Sequence, residues 1–125
     1  MLVKALRAKA KDSTAFKAYL RLTDDWRLTD QERCDLLRIQ EDNYAAWKTD
    51  LTKARLSDEQ IMKLSHLLNI YDGLHRLFGD AQFANEWVRL KNTAFNEKTP
   101  LSLLLAGDLE DFQAVHELIQ RALTI

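Results

Sequence analysis

Residues that interrupt helices are scarce in this chain. Its 125 residues include one proline and three glycines. All-β folds need many tight turns, and glycine and proline are among the residues that build them, so this scarcity argues against an all-β fold. The chain is long enough to bury one modest core, or two small helical units that share one. The sequence therefore predicts an all-α fold for a compact helical protein.

Cysteine is scarce as well, and the sequence has no long apolar run. The single cysteine, Cys34, excludes an internal disulfide and favours a reducing compartment. No apolar run approaches the roughly 20 residues that cross a bilayer. Residues 1–13 lack the apolar segment of a signal peptide. We therefore expect a cytoplasmic protein with no membrane partner.

The residue patterns of common catalytic and metal sites are also missing. Cys34, His66, His75 and His116 do not have metal-ligand spacing. The sequence contains no glycine-rich phosphate loop, serine elbow or HExxH motif. We predict that the chain is not an enzyme and has no catalytic residue or metal ligand. His75 and His116 are expected to be partly exposed helix residues.

The formal net charge of −1 conceals a basic N-terminal segment. Between residues 4 and 21 the basic side chains are opposed only by Asp12. They are Lys4, Arg7, Lys9, Lys11, Lys17 and Arg21. Residues 1–13 are thus either a loose basic arm that contacts nucleic acid phosphates or a solvated terminus.

Capping signals divide the front of the chain into helices. The first core helix is predicted at about 14–26. Thr29 and Glu32 have the spacing of a capping box, in which each side chain accepts from the other residue's backbone N–H. They predict a helix at about 30–38, and a second helix follows at about 41–49. Ser57 and Gln60 repeat the capping-box spacing before a long apolar stripe.

The back of the chain, residues 77–123, has regular punctuation. Asp72 and Gly73 predict a bend or break in the long helix before it. Asp80 is a predicted cap for a helix at about 81–91, which a polar loop follows. Thr99 is a predicted N-cap with Pro100 in the first helical position, where its missing N–H costs nothing. Gly107 ends that short helix as a C′ residue, and Asp108 with Asp111 opens the last helix.

The predicted helices 30–38 and 41–49 have a helix-turn-helix arrangement, with Arg38 at the left-handed turn. Glu41 and Asp42 begin the second helix, where carboxylates disfavour contact with phosphates. The motif therefore predicts either DNA binding or a helical scaffold with Tyr44 and Trp47 in the core. The candidate DNA-binding residues lie on the turn, the second helix and the basic connector after it: Arg38, Gln40, Asn43, Lys48, Lys53 and Arg55.

The order of residues in the back half resembles the C-terminal domain of the Xre/MbcA/ParS-type antitoxins. The residues that carry this resemblance are Gly79, Asp80, Ala84, Trp87, Asn92, Phe95, Thr99, Pro100, Leu101, Leu104, Gly107, Val115 and Leu118. The front half is similar to the Xre-like helix-turn-helix unit of the same family. Its matching residues are Leu28, Thr29, Glu32, Leu37, Ile39, Trp47, Leu56, Ser57, Ile61 and Leu68.

The resemblance implies a helix-turn-helix domain at 14–72 packed on a toxin-binding domain at 73–125. It implies an antitoxin of a type II toxin–antitoxin system that binds and blocks a RES-domain toxin, an enzyme that consumes NAD. The NAD chemistry would belong to the toxin, so the resemblance implies no cofactor in this chain. The front domain would bind operator DNA and repress the operon, and the chain would form a homodimer or a larger hetero-oligomer with the toxin.

Candidate toxin-binding residues follow from residue type and position. Trp and Arg are enriched at binding hot spots, which favours Trp87, Arg89 and Arg121. The polar loop at 92–98 contributes Asn92 and Phe95, and the C-terminal tail contributes Leu123, Thr124 and Ile125. The alternative is that Trp87, Phe95 and the tail pack within the protein.

Two other functions remain open from the sequence. The basic segment and the helix-turn-helix pattern fit a stand-alone DNA-binding transcriptional regulator. A helical scaffold with neither function also fits the composition.

Overall fold

The computed structural model describes residues 12–125, and this part of the chain contains seven α-helices and no β-strand. The helices are α1 Asp12–Asp25, α2 Asp30–Leu37, α3 Glu41–Thr49, α4 Asp58–Leu77, α5 Ala81–Glu86, α6 Pro100–Ala106 and α7 Leu109–Leu123. Short 3₁₀ turns cover Leu51–Lys53, Trp87–Arg89 and Thr93–Phe95. The predicted all-α fold is confirmed. Residues 1–11, which make up most of the predicted basic arm, lie outside the described residues.

The chain divides into two compact units, one ending at Ser65 and the other running from His66 to Ile125. The division falls inside α4. The domains predicted at 14–72 and 73–125 stay a prediction. Among the described helices, none is long and apolar enough to cross a membrane.

The front unit is built on an aromatic cluster. Phe16, Tyr19 and Trp26 of the first helical segment are fully buried, because their spacing puts them on the same side of α1 and its end. The Phe16 ring meets the Tyr44 ring edge-on at 6.0 Å and the Trp47 ring at 5.5 Å between centroids. Tyr44 and Trp47 therefore contribute to the core from α3.

The predicted start and end of α2 are confirmed. Thr29 Oγ1 accepts from Glu32 N at 3.1 Å, and Glu32 Oε1 accepts from Thr29 N at 2.9 Å. The helix ends at Leu37, and the residue that follows, Arg38, has a left-handed φ of 56°. α3 then runs from Glu41 to Thr49 as predicted.

Arg33 forms a buried polar network that the sequence did not reveal. Its Nε donates to Thr23 Oγ1 at 2.7 Å, and its two terminal nitrogens pair with Asp24 and Asp30. Its backbone oxygen accepts from Tyr19 Oη at 2.7 Å. The guanidinium fork satisfies several partners at once, which is why a charged side chain can be buried here.

A break at Asp72 and Gly73, one of the two predicted alternatives, is wrong, because α4 continues through both residues to Leu77. The other alternative, a bend, stays a prediction. Gly73 is buried, and a Cβ at this position would lie 2.6 Å from Ile119 Cγ2. The glycine gives α7 room against α4. At the start of α4, the Ser57 and Gln60 capping box is confirmed, with Gln60 N donating to Ser57 Oγ at 3.1 Å.

The back unit has short elements joined by well-capped ends. Asp80 caps α5 by accepting from Gln82 N at 2.9 Å. The α-helix predicted at 81–91 ends at Glu86 and tightens into the 3₁₀ turn Trp87–Arg89, a common ending for a helix. Thr99 Oγ1 accepts from Ser102 N at 3.0 Å, with Pro100 in the first turn of α6.

Gly107 ends α6 in an extended conformation, with φ at −98°. A Cβ there would lie 2.5 Å from the Leu103 carbonyl oxygen, so glycine is needed for space. Asp111 then caps α7 by accepting from Asp108 N at 2.9 Å. Phe112, Val115 and Ile119 of α7 are buried and form its core face.

Candidate functional site

Large apolar side chains that are exposed lie in the back unit. Among the described residues they are Phe83, Leu90 and Ile125, with exposed fractions of 42%, 44% and 106%. Scattered exposed apolar residues are ordinary, but a shared face indicates a binding surface. The front unit, as described, contributes no large exposed apolar side chain of this kind.

Phe83, Trp87 and Leu90 lie close together in the chain, on α5 and the segment that follows it. Phe83 is on α5, Trp87 begins the 3₁₀ turn four positions later, and Leu90 follows that turn in an extended conformation. The spacing of four places Phe83 and Trp87 on one side of the helical segment. Trp87 is half-buried. The Phe83 ring packs edge-on against the Phe78 ring, with centroids 4.8 Å apart. We refer to Phe83, Trp87 and Leu90 as the α5 face.

The sequence pointed to Trp87 of this face and not to Phe83 or Leu90. The spacing of four between Phe83 and Trp87 could have identified Phe83, whereas Leu90 follows the helical segment in an extended conformation and carries no such signal. Their exposure was not readable, because it depends on α5 ending after six residues and on which of its sides meets the core.

The loop after the α5 face is organised by Asn92. Asn92 Oδ1 accepts from Ala94 N at 2.9 Å, and its backbone N–H donates to the Lys98 carbonyl at 3.0 Å. Asn96 and Glu97 both have left-handed φ values, 55° and 64°. Phe95 is half-buried. Two consecutive non-glycine residues in this region are unusual and store backbone strain.

The tail residues point in different directions. A Cβ added at Gly73 would lie 3.5 Å from Leu123 Cδ1, so Leu123 packs towards α4. Thr124 Oγ1 donates to the Arg121 carbonyl at 2.9 Å, and Thr124 is exposed. Ile125 is fully exposed. Arg89 and Arg121 are both exposed cations.

A second surface lies on the front unit, around the turn between α2 and α3. It is a shallow pocket of about 370 Å³ that contains five of the six candidate DNA-binding residues. Its lining is Arg38, Ile39, Gln40, Asn43, Trp47, Lys53, Arg55 and Gln60. The lining carries three cations and no carboxylate. We refer to it as the basic pocket.

Lys48, the sixth DNA candidate, lies elsewhere. It lines a different pocket with Asp30 and Glu41, and its Nζ pairs with Asp30 Oδ1 at 3.1 Å. Hydrogen bonds from Tyr44 and Lys48 lower the pKa of Asp30, and burial followed by the bond to Asp30 raises the pKa of Tyr44 to about 12. Glu41 lines this other pocket and is not among the residues that line the basic pocket.

Groups of three or more His, Cys, Asp or Glu side chains that could hold a metal ion do not occur in residues 12–125. His75 and His116 are partly exposed helix residues, as predicted. His75 Nε2 lies 2.8 Å from Asn85 Oδ1. The fold brings His116 close to His66, a pairing that sequence spacing did not indicate.

Comparison with known proteins bears on the back unit. Residues 74–122 match the model of the antitoxin Xre/MbcA/ParS C-terminal toxin-binding domain. The chain is also 28% identical over 109 residues to the uncharacterized protein y4oB of Sinorhizobium fredii (strain NBRC 101917 / NGR234), across 86% of this chain and 83% of that protein. No solved structure matches the chain. The match over 74–122 supports the antitoxin family, and it contains the α5 face and the loop at 92–98.

Proposed function

We propose that this protein is the antitoxin of a type II toxin–antitoxin system, and that its back unit binds and blocks a RES-domain toxin that consumes NAD. The observation that carries the proposal is the match of residues 74–122 to a toxin-binding domain. The RES class follows from the resemblance of the sequence to this antitoxin family. The antitoxin itself holds no cofactor in this account, because NAD is the toxin's substrate.

The α5 face is the proposed centre of the toxin contact. Phe83 and Leu90 expose apolar area that a partner would remove from water, and Trp87 adds the residue type most enriched at hot spots. Arg89 lies beside them in sequence and is exposed. Arg121, the loop residues Asn92 and Phe95, and the tail residues Leu123, Thr124 and Ile125 are proposed as the surrounding contacts.

Co-expression with the neighbouring gene's product tests the proposal. The chain should restore growth to cells that express the toxin and should co-purify with it. Replacing Phe83 and Leu90 together by serine should reduce affinity by about tenfold or more, because each loses a buried apolar contact. Gln113→Ser, an exposed polar change on α7, is the matched control and should leave affinity unchanged.

Two outcomes would contradict this assignment of the surface. Full affinity in the Phe83→Ser, Leu90→Ser variant, with unchanged circular dichroism, would exclude the α5 face. A larger loss of affinity in Ile125→Ser than in the Phe83→Ser, Leu90→Ser variant would place the main contact at the tail. Failure of every neighbouring gene product to bind would contradict the antitoxin proposal itself.

Operator DNA is proposed as a second partner, and the basic pocket favours it. Arg38, Lys53 and Arg55 converge there with the amide side chains of Gln40 and Asn43. Arginine and lysine hold phosphates, while amides read base edges. Glu41 lines the other pocket, and no carboxylate lines the basic pocket. This partner would serve autorepression or, as the alternative function, a stand-alone transcriptional regulator.

DNA binding by the basic pocket should have a specific salt dependence. Lys53→Gln should reduce the slope of log affinity against log salt by about one, because one phosphate contact is lost. Lys98→Gln removes an equal charge from the back unit and should leave the slope unchanged. Equal slopes for both variants, measured on the protein's own promoter, would contradict the proposed site.

Sedimentation of the chain alone would test the expected homodimer.

A further inference from the structure

Two histidines 50 positions apart meet within the back unit. His66 lies on α4 and His116 on α7, and their Nδ1 atoms are 2.9 Å apart. The ring centroids are separated by 5.1 Å, and both residues are half-buried. At this distance one Nδ1 must carry a proton and the other must accept it, so the neutral rings hold complementary tautomers. We refer to His66 and His116 as the imidazole pair.

The imidazole pair lies beside an apolar contact between the same helices. Gly73 of α4 is two helical turns beyond His66, and it faces Ile119 Cγ2 and Leu123 Cδ1 of α7. α7 therefore contacts α4 over about two turns. The imidazole pair is therefore one of the contacts that join α7 to α4.

A metal ion is a poorer occupant of the pair than a proton. Imidazole nitrogens are good ligands for zinc and copper, but protein zinc sites use three or four protein ligands. The described residues offer no cluster of three such side chains. The pair is therefore best treated as two coupled titrating groups.

The surroundings of the pair disfavour a second proton. Two protonated rings would place positive charges side by side and would leave no nitrogen to accept the hydrogen bond. Burial lowers the pKa of His66, the charge of His116 lowers it further, and the carboxylate of Glu117 opposes both effects. On α4, Lys63 lies one turn before His66 and pairs with Glu59 at 3.5 Å. α6, which packs on α7, has no charged residue.

We propose that the imidazole pair fastens α7 to α4 while it holds at most one proton, and that a second proton opens this contact. α7 lies almost entirely within the segment matched to the toxin-binding domain, so opening would weaken toxin binding in acid. The effect on toxin binding rests on the proposed function. The effect on α7 does not.

The direction of the pH effect follows from linkage. Stability rises with pH wherever the unfolded chain binds more protons than the folded one. An unfolded histidine titrates at about pH 6.5, whereas the folded pair resists its second proton. The contribution of the pair to stability is therefore fully present above about pH 6.5 and is lost as the pH falls below that value.

Hydrogen exchange of the full chain between about pH 7.5 and about pH 5 tests the proposal around the ordinary histidine pKa. After correction for intrinsic exchange, the equilibrium constant for opening of α7 should increase by up to about tenfold per pH unit below 6.5, relative to that of α1. His116→Asn should remove most of this rise, because asparagine keeps a polar group near the Nδ1 position and does not titrate. His75→Gln removes a histidine outside the pair and should retain the rise.

Ring titration by NMR gives an independent result. The proposal expects at least one midpoint in the pair clearly below 6.5, since coupled groups titrate as a pair. Two independent midpoints near 6.5, or equal acid opening in His116→Asn and the unaltered chain, would overturn it.

Toxin affinity is then compared at the two pH values. Acid opening of α7 with constant affinity would overturn only the effect on toxin binding.

Discussion

Gly73 is the residue at which close packing most clearly dictates the sequence. Its neighbours on α7, Ile119 and Leu123, occupy the space of the missing side chain. From the sequence, the Asp72 and Gly73 pair indicated a helix break, since glycine has low helix propensity. The reason for the glycine lies about 46 residues further along the chain, at Ile119, so local pattern could not reveal it.

Gly73→Ala should destabilise the protein by about 1–3 kcal/mol, because the new methyl group overpacks a filled contact. Gly79→Ala is the matched control. A Cβ at Gly79 would have nothing within 4 Å, so this change should be neutral or stabilising by up to about 1 kcal/mol. Denaturant unfolding of both variants checks the prediction. Equal stability of the two would contradict the packing account.

At the scale of elements, the helix ends were the most predictable features. The Thr29 and Glu32 box, the Ser57 and Gln60 box, and the Thr99 cap before Pro100 all appear as expected. Each is determined by residues three positions apart, so the sequence carries the whole signal. The buried network around Arg33 was not predictable, because its partners Tyr19, Thr23 and Asp24 come from a different helix or its end.

The end of α2 carries a measurable strain. Arg38 has a left-handed φ of 56°, which costs a residue with a Cβ about 1–2 kcal/mol. Arg38→Gly should therefore stabilise the front unit by about 0.5–1 kcal/mol after loss of side-chain contacts. Arg55→Gly, at a position outside the left-handed region, should destabilise it.

Thermal unfolding of the two arginine variants distinguishes these effects. If Arg38→Gly also retains promoter binding, Arg38 is not a phosphate contact of the basic pocket. A fall in stability for Arg38→Gly equal to that of Arg55→Gly would contradict the strain account.

At the scale of the whole molecule, two surfaces divide the proposed functions. The basic pocket belongs to the front unit, and the α5 face belongs to the back unit. Most residues of the basic pocket could be predicted from the sequence, because they are close together in the chain. Of the α5 face, Trp87 could be predicted but not Phe83 or Leu90, since their exposure depends on how the short helix meets its core.

Because the two proposed surfaces belong to different units, we expect variants that affect toxin binding or DNA binding but not both. Changes on the α5 face should weaken toxin neutralisation and leave promoter binding intact. Lys53→Gln should weaken promoter binding and leave toxin neutralisation intact. Measuring growth rescue and promoter binding for the same variants tests this. A single variant that removes both activities without unfolding the chain would contradict the assignment of one partner to each unit.

Whether this protein blocks an NAD-consuming toxin is tested by the cellular NAD content when the neighbouring toxin is expressed with and without this protein. If the protein is the antitoxin, the toxin alone should deplete NAD and the unaltered protein should preserve it. The Phe83→Ser, Leu90→Ser variant should fail to preserve NAD at equal expression. Depletion of NAD in the presence of abundant folded protein, or a toxin that leaves NAD unchanged, would contradict the proposed function.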